Sequence, residues 1–269
     1  MYPVLLEVGN FFISSLWVLA GLGFLLWGVA LIKLTEGKNM KMAFLVNTFF
    51  KMLIWGAVGG RVLYSLVNIS DVIADPKAMI PLRLISIWDH GFNFWGIVAG
   101  IFIYTYYAAK QEEENVQRWF DILTMAFLTA IPFGHMGALL EGINYGNETN
   151  LPWGITFNSY TVPFTIPIHP TQVYALIYTL IILITIGILA LRKQFKQDGD
   201  LTLIVAITYS SCRFIEEFFR GDEAITFLKL NLAHWVSLAV LLFAGISLFI
   251  RYNKHVILKY LPKKSGIRS

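Results

Sequence analysis

Seven apolar runs divide the chain, at residues 11–34, 42–67, 85–108, 119–140, 172–191, 201–219 and 232–250. Each reaches or nearly reaches the roughly 20 helical residues that the hydrocarbon core of a bilayer requires. The pattern therefore predicts an all-α integral membrane protein with seven transmembrane helices, their ends placed to about three residues. The polar stretches between the runs are short, with one exception. Residues 141–171 carry Asn144, Gly146, Asn147, Asn150, Pro152, Gly154, Asn158, Pro163, Pro167 and Pro170, a density of turn formers that predicts a small folded cap between the fourth and fifth helices. No Gly-, Ser- or Pro-rich linker, repeat or low-complexity tract interrupts the rest, so residues 1–269 read as a single polytopic membrane domain. The first run has no basic segment before it and no small-residue cleavage pattern after it, and reads as a retained helix, not a signal peptide.

Composition agrees with the pattern. With 57% hydrophobic and 14% charged residues, the chain cannot cover a water-facing surface as a soluble domain. Orientation follows from the connections, because Lys and Arg resist export. Fourteen of them, from Lys33, Lys38 and Lys41 to Lys264 and Arg268 in the tail, fall on one side, against Lys77, Arg83, Arg220 and Lys229 on the other. The amino terminus and the cap are thus expected outside and the carboxyl terminus in the cytoplasm. The net charge of +4 is a topology signal that also suits anionic headgroups, and it does not imply nucleic acid. One cysteine, Cys212, excludes an intrachain disulfide or a multi-cysteine metal site. Asn68 and Asn147 lie in N-x-S/T sequons that would be coincidental in a bacterium. A retinal protein needs a lysine in the seventh run, which has none, and a transporter would place its charges near the midplane in paired halves.

Charge inside a membrane is costly and marks sites, so the depth of the polar residues matters. The second run carries Gly59, Gly60 and Arg61 in its outer half. The third opens on Asp89, His90 and Gly91, and the fourth ends on Pro132, Gly134, His135, Gly137 and Glu141. The fifth opens on His169, Pro170, Thr171 and Gln172, and the sixth holds Tyr209, Arg213, Glu216, Glu217 and Arg220. All five clusters fall in the outer half, which suggests one site. Tyr209, Arg213, Glu217 and Arg220 are spaced to line one helical stripe. Facing lipid, Arg213, Glu216 and Glu217 would cost about 9 kcal/mol at ~3 kcal/mol each, so an interior cavity is expected. The plainer alternative is an Arg213–Glu217 pair that only ties helices together. A second arginine at this depth, Arg61, exceeds what one paired carboxylate neutralises, and arginines near the outer leaflet suit a phosphate headgroup. His90 and His135 are equally readable as interior hydrogen-bonding residues, and His169 as a helix-start element. No histidine pair has metal-ligand spacing.

The segments GGRVLY (59–64), GFNFWGIVAG (91–100), GHMGALLEGINYG (134–146), PWGITF (152–157), HPTQVY (169–174) and RFIEEFFRGD (213–222) resemble, in order and spacing, those of the prolipoprotein diacylglyceryl transferase family. The resemblance implies a bacterial inner-membrane enzyme that transfers diacylglyceryl from phosphatidylglycerol to the lipobox cysteine thiol of an exported preprotein, releasing glycerol phosphate without a cofactor or metal. Arg61, Gly134, Gly137, Gly146, Arg213, Glu217 and Arg220 match family positions. The candidate catalytic residues are Arg213 and Glu217, which the resemblance carries, and His135 and Glu141, which share their depth but stand where the family pattern has other residues. Arg61, Tyr64, Gly134, Gly137, Gly146, Gln172, Tyr209 and Arg220 are the candidate substrate contacts.

The sequence also departs from the family pattern. The histidine of the F-H-G-G segment is Trp95 here, and an indole is no base. R-x-G-N-F-x-N-x-E-x-x-G becomes His135, Gly137, Ala138, Leu139, Glu141, Ile143 and Gly146, and the glutamate after H-P-S-Q-L-Y is Ala175. Two readings follow. In a working transferase, His135, Glu141 or His90 supplies the base; in a non-catalytic relative, lipid or lipoprotein precursor binds without transfer. The first requires His135 or Glu141 to turn inward toward Arg213.

Overall fold

The computed structural model describes residues 4–8, 11–69, 91–157, 166–222 and 226–260. It opens with an antiparallel hairpin, β1 (Val4–Val8) and β2 (Phe11–Ser14). Among the described residues seven α-helices follow: α1 (Ser15–Gly37), α2 (Met42–Val67), α3 (Phe94–Gln111), α4 (Val116–Glu141), α5 (Thr171–Leu191), α6 (Asp200–Glu216) and α7 (Leu232–Tyr260). A 3₁₀ turn (Glu217–Phe219) and a second hairpin, β3 (Thr226–Phe227) and β4 (Leu230–Asn231), lie between α6 and α7. The helices overlap the seven apolar runs. Five of them, α1, α2, α4, α5 and α7, are long and apolar enough to cross a membrane; α3 and α6 have 18 and 17 residues.

The seventh helix runs on past residue 250 to Tyr260; three other boundaries differ from expectation, each for a local reason. The first helix starts at Ser15 and not at residue 11, because Phe11, Phe12 and Ile13 suit an extended strand. Ser14 then caps the helix by accepting the Leu16 N–H at 3.1 Å. The third helix starts at Phe94: Gly91 is left-handed (φ +99°), and the Asn93 side chain accepts the N–H groups of Trp95 and Gly96 at 3.0 and 3.4 Å. Residues 85–90, with Asp89 and His90, lie outside the described residues. The sixth helix gives way to the 3₁₀ turn at Glu217, and Arg220 continues in extended backbone (φ −73°, ψ 141°). The stripe expected to run from Tyr209 to Arg220 is therefore broken after Glu216.

Burial is inverted relative to a water-soluble protein. Trp17, Phe50 and Phe243 are more than 70% exposed, while Thr35, Thr48, Thr105 and Thr179 are buried and bond the carbonyl four residues back at 2.6–2.8 Å. Such hydroxyls satisfy themselves within their own helix, and the apolar exterior is what lipid requires.

The described residues form two compact units, one within Leu25–Phe127, the other within Met1–Phe24 and Leu128–Ser269. In the first, α2 and α3 meet through glycine. A Cβ at Gly59 would lie 2.4 Å from the Gly96 carbonyl oxygen, and one at Gly96 would lie 2.3 Å from that of Gly59, so only glycine permits this backbone approach. Stacked Phe44 and Trp119 (4.6 Å) fill its core, and Lys41 pairs with Glu114 at 2.7 Å. In the second unit, α6 packs against α5 and α7. Arg251 closes the start of α6 by donating to Asp200 Oδ1 (2.8 Å) and the Asp198 carbonyl (2.9 Å), and the Tyr252 hydroxyl also binds Asp200.

Candidate functional site

The polar residues of the second unit converge at the end of α6. One helical turn brings Arg213 against both following carboxylates: Nη1 donates to Glu216 Oε1 at 2.7 Å, and Nη2 pairs with Glu217 Oε2 at 2.9 Å. Glu216 and Glu217 are each 5% exposed, and carboxylates at that depth require such partners. The 3₁₀ turn then swings Arg220 back, its Nε 3.8 Å from Glu217 Oε1. Arg220 also binds Asp222 through Nε (2.7 Å) and Nη2, and donates to Asn144 Oδ1 at 3.1 Å. Two guanidiniums thus sit among three carboxylates. Both are engaged by protein anions, and the Arg213–Glu217 contact is the i, i+4 pair that the spacing predicts.

Around this network, α5 supplies Tyr178, whose hydroxyl donates to Glu216 Oε2 at 2.8 Å. Its ring meets that of Tyr209 at 5.7 Å and that of His135 at 6.5 Å. His135 Nε2 is buried with no hydrogen-bond partner among the described residues, and the charges of Arg213 and Arg220 both act on the ring. His135 therefore faces inward, as the rebuilt-site reading requires. Glu141, the last residue of α4, accepts the Ser14 hydroxyl at 2.8 Å. That carboxylate ties the start of α1 to the end of α4.

The connection after α4 holds the site's frame. Asn144, left-handed (φ +56°), offers its carbonyl to Thr171 Oγ1 at 2.6 Å and its side chain to Arg220. Gln172, 2% exposed, donates to the Ile143 carbonyl at 2.6 Å; its amide nitrogen pins the loop. Gly146 bridges to Arg220, and a Cβ there would lie 2.3 Å from the His169 carbonyl oxygen. Gly137 lets Leu16 approach closely, whereas nothing crowds Gly134. Phe157 and Ile168 form a small core under this connection with Leu139, Tyr145 and Ile155.

Arg61 and Tyr64 belong to the other unit. Arg61 is 4% exposed, donates to the Gly91 carbonyl at 3.3 Å, and has its guanidinium carbon 5.5 Å from the Tyr64 ring centre, a cation–π distance. In the second unit, Tyr178 and His234 were not legible as site residues, and Asn144 was legible only as a turn former. His234, on α7, packs its ring 5.1 and 4.5 Å from Phe214 and Phe218. The adjoining Asn231 side chain donates to Glu217 Oε1 at 3.1 Å. One of the two tyrosines in the fifth run and the N-x-x-H spacing at the head of the seventh were the available signals.

Residues 3–251 match the family model described as "Prolipoprotein diacylglyceryl transferase". Similar proteins include the phosphatidylglycerol–prolipoprotein diacylglyceryl transferases of Clostridium tetani, 29% identical over 93% of this chain and 97% of the relative, and of Finegoldia magna, 29% identical over 92% and 95%. A second such transferase of Clostridium perfringens is 27% identical over 93% and 94%.

Proposed function

Because the chain belongs to the prolipoprotein diacylglyceryl transferase family, we propose that it transfers diacylglyceryl from phosphatidylglycerol to the cysteine thiol of an exported prolipoprotein, at the outer leaflet of the bacterial inner membrane. The observation that carries the mechanism is the inward-facing His135, its Nε2 buried without a partner among the described residues beside the Arg213 network. In this reading His135 takes the thiol proton. The sulfur forms a bond to the terminal glyceryl carbon of the lipid, the carbon–oxygen bond to phosphate breaks, and its electron pair leaves on the phosphate oxygen. Glycerol phosphate departs with that added charge.

Arg213 and Arg220 stabilise the departing phosphate, as preorganised donors do where charge develops. Their carboxylate partners hold the guanidinium planes in place beforehand and compete with the phosphate for them. Glu217 orients Arg213, and Tyr178 orients Glu216. Glu141, bonded to Ser14, serves the frame. Seven crossings, with the amino terminus and the cap outside and the tail in the cytoplasm, put this end of α6 at the outer leaflet, where exported preproteins emerge; the Lys and Arg distribution supports that orientation.

The test is transfer itself. Purified protein in detergent, given phosphatidylglycerol and a lipobox peptide, is expected to raise the peptide mass by one diacylglyceryl unit and release glycerol phosphate, and Arg213→Ala is expected to abolish both. Lipid binding without a mass gain would replace this reading with a non-catalytic lipid-binding relative. Two observations favour that second reading: Arg213 is already paired with Glu216 and Glu217, and Trp95 stands where the family pattern has histidine.

A further inference from the structure

Asn231 directly precedes α7 and His234 is its third residue. The Asn231 backbone N–H donates to His234 Nδ1 at 3.2 Å, which is the returning half of a capping box. The other half is diverted. The Asn231 side chain, which would ordinarily accept an N–H of the first turn, donates instead to Glu217 Oε1. Because a backbone N–H can only donate, Nδ1 keeps its lone pair, and the neutral ring carries its proton on Nε2. His234 is 3% exposed, and this Nε2 is buried with no hydrogen-bond partner among the described residues. Capping accounts for Nδ1 and the walls of Phe214 and Phe218 account for the ring. Neither accounts for the Nε2–H, since a buried donor without an acceptor is destabilising. The ring packs on Phe214 and Phe218, the chain neighbours of Arg213 and Glu217, and the residue that caps it binds Glu217 directly, so His234 borders the network.

We infer that His234 is a further ligand-binding residue of this site: with Nδ1 committed to the helix cap, its Nε2–H is held as a neutral donor for a phosphate oxygen of the bound ligand. The identity of that ligand as phosphatidylglycerol rests on the function proposed above. A neutral donor suits the place. Each cation here is drawn to Glu216, Glu217 or Asp222, whereas an N–H without charge stays available to the ligand.

The experiment measures binding in detergent, with short-chain phosphatidylglycerol, free glycerol phosphate and short-chain diacylglycerol as separate probes. In ¹⁵N-histidine-labelled wild-type protein the His234 Nε2–H signal, assigned with His234→Gln, is expected to shift with a phosphate-bearing probe and not with diacylglycerol. A shift with glycerol phosphate alone supports the donor and names the headgroup as sufficient; a shift needing the whole lipid supports it and names the lipid. His234→Leu is expected to weaken phosphatidylglycerol binding about tenfold, the order of a hydrogen bond to a charged group. His234→Gln, which can both cap and donate, is expected to stay within about threefold of wild type. Equal affinity in His234→Leu and wild type, equal loss in both variants, or a signal unmoved by either phosphate probe overturns the inference. Should the leucine variant not fold, the wild-type signal decides alone. Binding needs no turnover, so an inactive protein with a phosphate-dependent signal would sink the transferase and leave His234 standing, and full transfer by His234→Leu would do the reverse.

Discussion

His135 and Tyr178 meet through their rings, but they are expected to answer differently to substitution. If His135 takes the thiol proton, His135→Ala should lower kcat by about 10²–10⁴, the usual contribution of a positioned base, while phosphatidylglycerol binding stays nearly unchanged; the lipidation assay and a binding isotherm together check this. Tyr178→Phe removes a hydrogen bond to the Glu216 carboxylate. It should cost about 1.5–3 kcal/mol, seen as a lower Tm in detergent together with reduced transfer. Gly146→Ala places a methyl group against the His169 carbonyl and should destabilise by about 1–3 kcal/mol, again read from Tm. At this scale the sequence was partly legible. Arg213 and Glu217 announce themselves by spacing, because helical geometry alone brings i and i+4 together. Tyr178 and His234 lie on the adjoining helices α5 and α7, and the spacing within one run gives no hint of which neighbour a residue will meet on another. Asn144 was readable as a turn former, yet its hold on Arg220 depends on a contact 76 residues along the chain.

Between elements, the α2–α3 seam is the place where small changes should matter most. The carbonyl oxygens of Gly59 and Gly96 occupy the space a Cβ would need, and backbone cannot swing aside as a long side chain can. Gly96→Ala should therefore part the two helices and cost about 1–3 kcal/mol; a Tm fall in that variant, absent from a Gly21→Ala control where nothing lies within 4 Å, is the expected result. The glycines were visible in the sequence only as motif letters, since pairing them requires knowing the register of two helices. Helix positions were legible because lipid demands long apolar runs. Their ends were less so: strand propensity at Phe11–Ser14, the Asn93 cap and the tightening at Glu217 each follow from local chemistry that hydropathy does not weigh.

For the molecule as a whole, the exposed Trp17, Phe50 and Phe243 suit a multi-pass membrane protein, and the skew of Lys and Arg predicts its orientation. In a Cys212→Ser background, Glu148→Cys should react with an impermeant thiol reagent in intact cells, and Ser269→Cys only after the membrane is opened. The opposite pattern would reverse the assigned topology. The bond from Asn231 to Glu217 has a consequence in time as well as in space. Asn231 is translated after Glu217, so the carboxylate waits for that donor until the hairpin before α7 has been made. A chain that stops short of Asn231 carries the arginine–carboxylate network without this hydrogen bond, so the network is assembled in two steps of chain growth, first along α6 and then from the hairpin that follows it.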